Sequence, residues 1–341
     1  MREQRPLSDW VAEGEKFALI GLNVHVDQGF ERFSPCPGLM ALGNAAFALP
    51  DYWREWLGTL RIEDIEECSL LLLASMPSAA PDIHDAESAI LKDRVAHWFG
   101  GLMLCSRLHQ TQHPFLVSGG CDQLKIDVRQ FTTFDPPHRA VVDPLVPVSV
   151  ADLKRAADIG DKLGAFKGPW QADHWRLLRC IGIYQAARCN RDLLDRVHQF
   201  TRTIEGLIDP REGDTKRQFK SRTELFIGPR HHDLMGKLYE VRSAVEHMHE
   251  YRYLEPFNRE KRLCLAKLEA ISEWIARDCL ARILIDPDLL GHFGSVAALG
   301  EFWSLPPDQR RAIWGDPIDP LASIRGFRFD YVTDEELGAR R

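Results

Sequence analysis

The feature that most limits what this chain can become is a change of apolar period near residue 150. Before it, apolar residues come in short extended blocks: FALIGLNVHVD (Phe17–Asp27), SLLLLASM (Ser69–Met76) and QLKIDVRQFTTF (Gln123–Phe134). The last alternates through Leu124, Ile126 and Val128, as a strand with one buried face does. One helical stretch, SAILKDRVAHWFGGLMLCSRL, interrupts them; its Gly100–Gly101 pair marks close packing or a kink. After residue 150, apolar residues recur at steps of three and four. Side chains repeat every two residues on a strand and every 3.6 on a helix, so the chain reads as α+β. The expected layout is an N-terminal mixed α/β domain over residues 1–149, an all-helical bundle over 150–285, and a tail, 286–341, docking on the bundle. The proline-rich run DPPHRAVVDPLVPV (Asp135–Val148) reads as the connection.

Six helical segments precede the tail's own. VADLKRAADIGDKLG is short and amphipathic; DHWRLLRCIGIYQAARC and RDLLDRVHQFTRTIEGLI follow, then the DPREGD turn (Asp209–Asp214). TKRQFKSRTELFI is stopped by Gly228–Pro229, and Asn258–Leu284 forms a long helix capped by Asn258. Between these two lies LYEVRSAVEHMHE (Leu238–Glu250), with Leu234, Leu238, Val241, Val245 and Met248 as its packing stripe.

Bulk properties exclude several classes. No apolar run in the 341 residues approaches the roughly 20 needed to span a bilayer, so no membrane partner is expected. The opening MREQRPLSDWVAEGEK mixes both charges and does not read as a signal peptide. Eight cysteines without a CxxC pair point to a reducing cytoplasm, with Cys180, Cys189, Cys264 and Cys279 packed in helices and no zinc site. Residues 1–100 hold 8 Lys and Arg against 16 Asp and Glu. The segment from Pro210 to Arg262 holds 12 against 9, enough to meet one phosphate but not to coat a duplex. His109 and His113 stand four apart, yet no glutamate accompanies them, and no P-loop, Rossmann or G-x-S-x-G signature is present. No metal and no cofactor is therefore expected.

The remaining candidates sit in LYEVRSAVEHMHE. On a regular helix Arg242 and Glu246 are neighbours, and His249 falls about 20° from Arg242, but His247 falls about 140° away. Two readings stay open. Arg242, Glu246 and His249 form a solvated salt-bridged strip, or Arg242 and His247 are the charge-stabilising and proton-moving groups of a site. His231–His232 after Arg230 form either a polar turn or a phosphate contact.

Three segments in order carry a resemblance: TIEGL (Thr203–Leu207), FKSRTELFIG (Phe219–Gly228) and LYEVRSAVEH. Together they resemble the ApeA-like branch of the HEPN superfamily over roughly residues 172–284, with Tyr239, Arg242, Ser243 and His247 as the motif and Glu205 upstream. The resemblance implies a HEPN-like helical bundle that forms a homodimer through the motif helix. It implies a metal-independent endoribonuclease of toxin or defence type, a hydrolase in which Arg242 neutralises the scissile phosphate and His247 moves protons. Ser243, Glu246, His249, Tyr239 and Glu205 would support them, and Arg230, His231 and His232 would help bind the RNA. The alternative is a non-catalytic HEPN dimer that binds RNA or a nucleotide as a regulatory or assembly module. Two positions depart from the family pattern. Ser243 stands where active nucleases carry Asn, Asp or His, and Met248 stands where a glycine usually ends the helix, so the helix is expected to continue.

Overall fold

The computed structural model describes residues 9–338 apart from 111, 167–172, 212, 251–252 and 254–256. Half of the N-terminal stretch read above (1–8) and one residue of the DPREGD turn (212) lie outside the described residues. The protein is α+β. It divides into two compact units, Met1–Pro136 with Leu145–Ala165, and Pro137–Pro144 with Phe166–Arg341.

The first unit is built on a six-stranded antiparallel sheet in the order β2-β3-β4-β1-β5-β6. The strands are β1 (Glu15–Leu22), β2 (Arg32–Phe33), β3 (Leu39–Gly43), β4 (Leu70–Pro77), β5 (Phe115–Gly120) and β6 (Gln130–Thr133). Strand β1 lies between β4 and β5, with Leu19 opposite Leu73 on one side and Val117 on the other. Both of its faces are buried. Ala18, Ile20 and Leu22 join one core with Leu91, Val95 and Trp98, while Phe17 and Leu19 join a second with Trp10 and Trp53. Coverage on both faces explains why these strands read as apolar runs rather than clean alternation.

Two short helices, α1 (Asp51–Trp56) and α2 (Thr59–Glu66), supply the second core's outer layer. On the other face lie α3 (Ala86–Cys105) and α4 (Val150–Ala165). Helix α3 is unbroken at its glycine pair, and the reason for Gly101 is contact: a Cβ there would stand 2.1 Å from the Ala156 carbonyl oxygen of α4. The division therefore differs from the expected boundary at 149/150, because α4 packs against α3 and belongs with the sheet. The extended reading of Gln123–Phe134 shrinks to β6 plus a single bridge from Ile126 to Cys121.

The second unit is helical: α5 (Trp175–Arg188), α6 (Leu193–Ile208), α7 (Thr215–Ile227), α8 (His232–Glu246), α9 (Arg259–Ile285), α10 (Pro287–Phe293), α11 (Val296–Ser304) and α12 (Pro307–Trp314). Helix α9 is its spine, buried on most sides and N-capped by Asn258, whose side chain accepts from the Lys261 amide. Residues 137–144 are part of this unit rather than a free connection. Ala140 and Val142 pack on Ala266 and Ala270 of α9, and His138 exchanges backbone and side-chain bonds with Arg188. The closing helices meet α7 through Phe226, whose ring lies 4.6 Å from that of Trp314 and 6.2 Å from that of Trp303. Among the described residues no helix is long and apolar enough to cross a membrane. All eight cysteines are free; Cys180 and Cys279 are buried, but Cys264 is exposed rather than packed.

Candidate functional site

Helix α6 starts at an Asp192 cap and buries Val197, Phe200, Ile204 and Leu207. That stripe leaves His198, Arg202 and Glu205, at spacings of four and three, on one polar side. Helix α8 buries Met235, Leu238, Val241 and Ala244, and presents Arg242 and Glu246 one turn apart. The two helices pack against each other, and their polar sides meet in two pairs. Arg242 Nη2 lies 3.1 Å from Glu205 Oε2, and Glu246 Oε2 lies 2.8 Å from His198 Nε2. Since the later residue of α6 meets the earlier residue of α8, the helices run antiparallel along this seam.

The pairing differs from the solvated-strip reading. Arg242 goes across to Glu205, not along its own helix to Glu246, and its side chain is only 18% exposed. Its guanidinium carbon also stands 5.8 Å from the centre of the Tyr239 ring, which in turn contacts Phe219. Arg242 Nε is buried without a hydrogen bond among the described residues. An unmet buried donor costs about 1–3 kcal/mol, a cost that the buried Arg277 of α9 bears as well. Glu246 is held below the usual carboxylate range, first by its bond to His198 and then by the charges of Arg242 and Arg202, against the opposing effect of burial.

The expectation that the helix runs on through Met248 is overturned. Helix α8 ends at Glu246, with His247 as its C-cap. Met248 takes the left-handed conformation at φ 53°, the amide of His249 bonds to the Ala244 carbonyl at 2.7 Å, and the amide of Met248 bonds to that of Val245 at 3.1 Å. This is a Schellman ending, with methionine in the place that favours glycine. Leucine- and valine-like burial was expected of Met248, yet it is 82% exposed. His247 still donates its amide to the Ser243 carbonyl as a helical residue does, so the chain leaves the helical path only at Met248. His247 and His249 are both exposed at the cap, with ring centres 6.4 Å apart.

Other candidates fall elsewhere. Ser243 contributes its carbonyl, which accepts from the His247 amide at 3.2 Å. Arg230 is exposed in the turn Pro229–His231, His231 sits at the start of α8, and His232 Nδ1 lies 2.6 Å from Glu224 Oε1. Ten helical residues separate His232 from Arg242, about 15 Å along the axis, so these three do not join the Arg242 site. Neither His109 nor His113 lies in a helix, and no group of three or more metal-ligating side chains occurs among the described residues. His198 and Arg202 were missed, although their spacing with Glu205 was visible in the sequence.

The assembled site therefore offers a tethered guanidinium, two exposed imidazoles at a helix end, and carboxylates that hold the cations in place. No family model, curated protein or solved structure matches this chain.

Proposed function

We propose that this protein is a metal-independent HEPN-type endoribonuclease of toxin or defence type, working in the cytoplasm as a homodimer of its helical unit. The observation that carries the reading is the ending of α8. The left-handed turn at Met248 stops the helix directly after His247, which stays exposed as its C-cap, five residues from an arginine aimed by Glu205 and Tyr239.

In this reading His247 accepts the proton of a ribose 2′-hydroxyl, whose oxygen attacks the adjacent phosphorus. The 5′-oxygen of the next nucleotide leaves and takes up a proton, giving a 2′,3′-cyclic phosphate and a 5′-hydroxyl end. Arg242 offsets the charge that builds on the phosphoryl oxygens. Glu205 sets the rotamer of Arg242 and has to yield part of it when the phosphate arrives. A second copy supplies the other proton carrier across the two-fold axis.

The test is incubation of the purified protein with single-stranded and structured RNA in chelator, with mapping of the ends. Arg242→Ala and His247→Ala should each lower cleavage at least 100-fold; cleavage that survives both substitutions excludes the assignment. One observation favours a second reading, a dimer that binds RNA or a nucleotide without cleaving it. Arg242 is already neutralised by Glu205, as a packing residue would be. Binding without turnover in the wild type would select that reading.

A further inference from the structure

Helix α7 carries a second concentration of positive charge, away from the motif. A cavity of about 640 Å³ is lined by Arg222 of α7, Arg310 and Arg311 of α12, Glu224 and Trp303, with the Gly228–Pro229 turn at its edge. Its one carboxylate, Glu224, is taken by His232 at 2.6 Å. Arg311 pairs with Asp308, but Arg310 has no ion pair among the described residues.

Both interior arginines are held without a carboxylate of their own. Arg222 donates from Nη1 to the carbonyls of Ile208 (2.6 Å) and Asp209 (2.7 Å), which end α6. The guanidinium carbons of Arg222 and Arg310 each lie 5.1 Å from the centre of the Trp303 ring. The ring is fixed in turn by its Nε1–H, which donates to the Leu207 carbonyl at 3.1 Å. A tryptophan face attracts a cation without neutralising it, so two like charges are gathered around one indole with their charge unspent. Burial pushes both guanidinium pKa values down; at Arg222 the Asp209 carboxylate opposes this while Arg310 and Arg211 add to it, and at Arg310 the nearby Arg311 adds to it. Both remain charged, and both line the cavity where an anion can reach them.

The volume lies in the range of small-ligand sites, and the planar, multi-donor guanidinium suits phosphate oxygens. A neighbouring cavity of about 460 Å³ shares Ser221 and adds Lys216 and Lys220. We infer that the cavity between α7 and α12 is a phosphate-binding site, whose phosphate belongs to an RNA strand crossing α7 or to a free nucleotide. It does not depend on whether Arg242 and His247 cleave anything.

The test uses the full chain and Arg310→Gln/Arg311→Gln, since Arg310 is held only against the face of Trp303 and Arg311 pairs only with Asp308 of its own helix. Two probes are titrated in parallel: adenosine 5′-monophosphate, and a fluorescein-labelled single-stranded 2′-O-methyl oligonucleotide that cannot be cleaved. Binding of either probe that weakens tenfold or more in the double variant supports the site, and the probe affected identifies the phosphate's source. For the oligonucleotide, loss of two contacts should also reduce the slope of log K against log salt by about 1.4. Arg222→Lys is the companion variant; it keeps the charge, loses the double hold on the α6 carbonyls, and should weaken binding less. Equal affinity of wild type and double variant for both probes overturns the inference, as does failure of both probes to bind the wild type.

Discussion

Two clusters of arginine and carboxylate lie in the helical unit, and they differ in one physical variable. The first is internal. Glu273 of α9 accepts from Tyr184 at 2.7 Å and lies 3.3 Å from Arg188 and 3.2 Å from Arg277, while Arg196 lies 2.6 Å from Glu269. The second is the seam between α6 and α8, with Glu205–Arg242 and His198–Glu246. The internal groups are at most 8% exposed, whereas the seam ranges from 13% to 39%. In the interior, any lost partner leaves a charge that water cannot reach, so the network is fixed in one arrangement. At the seam, water or a ligand can take over a partner's role. Burial thus separates a charge cluster that specifies packing from one able to exchange partners during chemistry.

The largest expected effect breaks the interior. Glu273→Ala removes the carboxylate that buried Arg188 and Arg277 share, so urea unfolding should show a loss of about 3–5 kcal/mol, or failure to fold. If the loss is below about 1 kcal/mol, the contrast with the seam disappears. Glu205→Ala at the seam should cost less, about 1–2 kcal/mol, because Arg242 can turn toward solvent once released. The same variant sharpens the functional side: freed from its carboxylate, Arg242 should bind a non-cleavable RNA more tightly while orienting it less well. A Glu205→Ala protein as destabilised as Glu273→Ala would assign the seam to packing alone.

Met248→Gly tests the helix ending and reverses the sign. A non-glycine residue in the left-handed region is strained by about 1 kcal/mol, and Met248 is exposed enough to lose nothing else. Thermal unfolding should therefore show a stabilisation of about 1 kcal/mol. A loss of stability would mean that the side chain makes contacts its exposure does not suggest.

Legibility followed the same divide between local and tertiary causes. Period alone located β1, β4, α3 and α5 to α9, because each repeats its own apolar spacing over a full element. It missed β5, where Ser118-Gly119-Gly120 reads as a turn. The glycines are there because other backbone comes close: a Cβ at Gly120 would stand 1.9 Å from the Pro81 carbonyl oxygen. It also misplaced α4, since an amphipathic helix announces that it has a partner but not which one. In the site, Arg242, Glu205 and Tyr239 were visible as residues, with Glu205 and Tyr239 expected to support Arg242. The role of His198 was not, because a cross-helix pair is settled by how α6 and α8 pack. The left-handed turn at Met248 was hidden for a simpler reason: the residue type argues against the conformation it adopts.

The smallest expected effect concerns pH. Glu246 has its folded-state pKa lowered, chiefly by His198. A carboxylate with a depressed folded pKa stabilises the protein above its unfolded pKa, near 4.3, and that contribution is lost as pH falls through the folded value. Glu246 is 39% exposed, so solvent screening reduces its worth to a few tenths of a kcal/mol. Wild type should thus exceed Glu246→Gln in stability by that margin at pH 6, with the difference closing below pH of about 4 and shrinking in high salt. The equivalent interior change, Glu269→Gln, should run the other way. Gln leaves buried Arg196 without its carboxylate, so the variant is the less stable at both pH values; because burial raises the Glu269 pKa in spite of Arg196, the wild type gains on the variant as pH falls and acid protonates the native carboxyl. Urea titrations of both variants at pH 6 and pH 4 place the two clusters on opposite slopes. Equal slopes would mean that burial does not separate them.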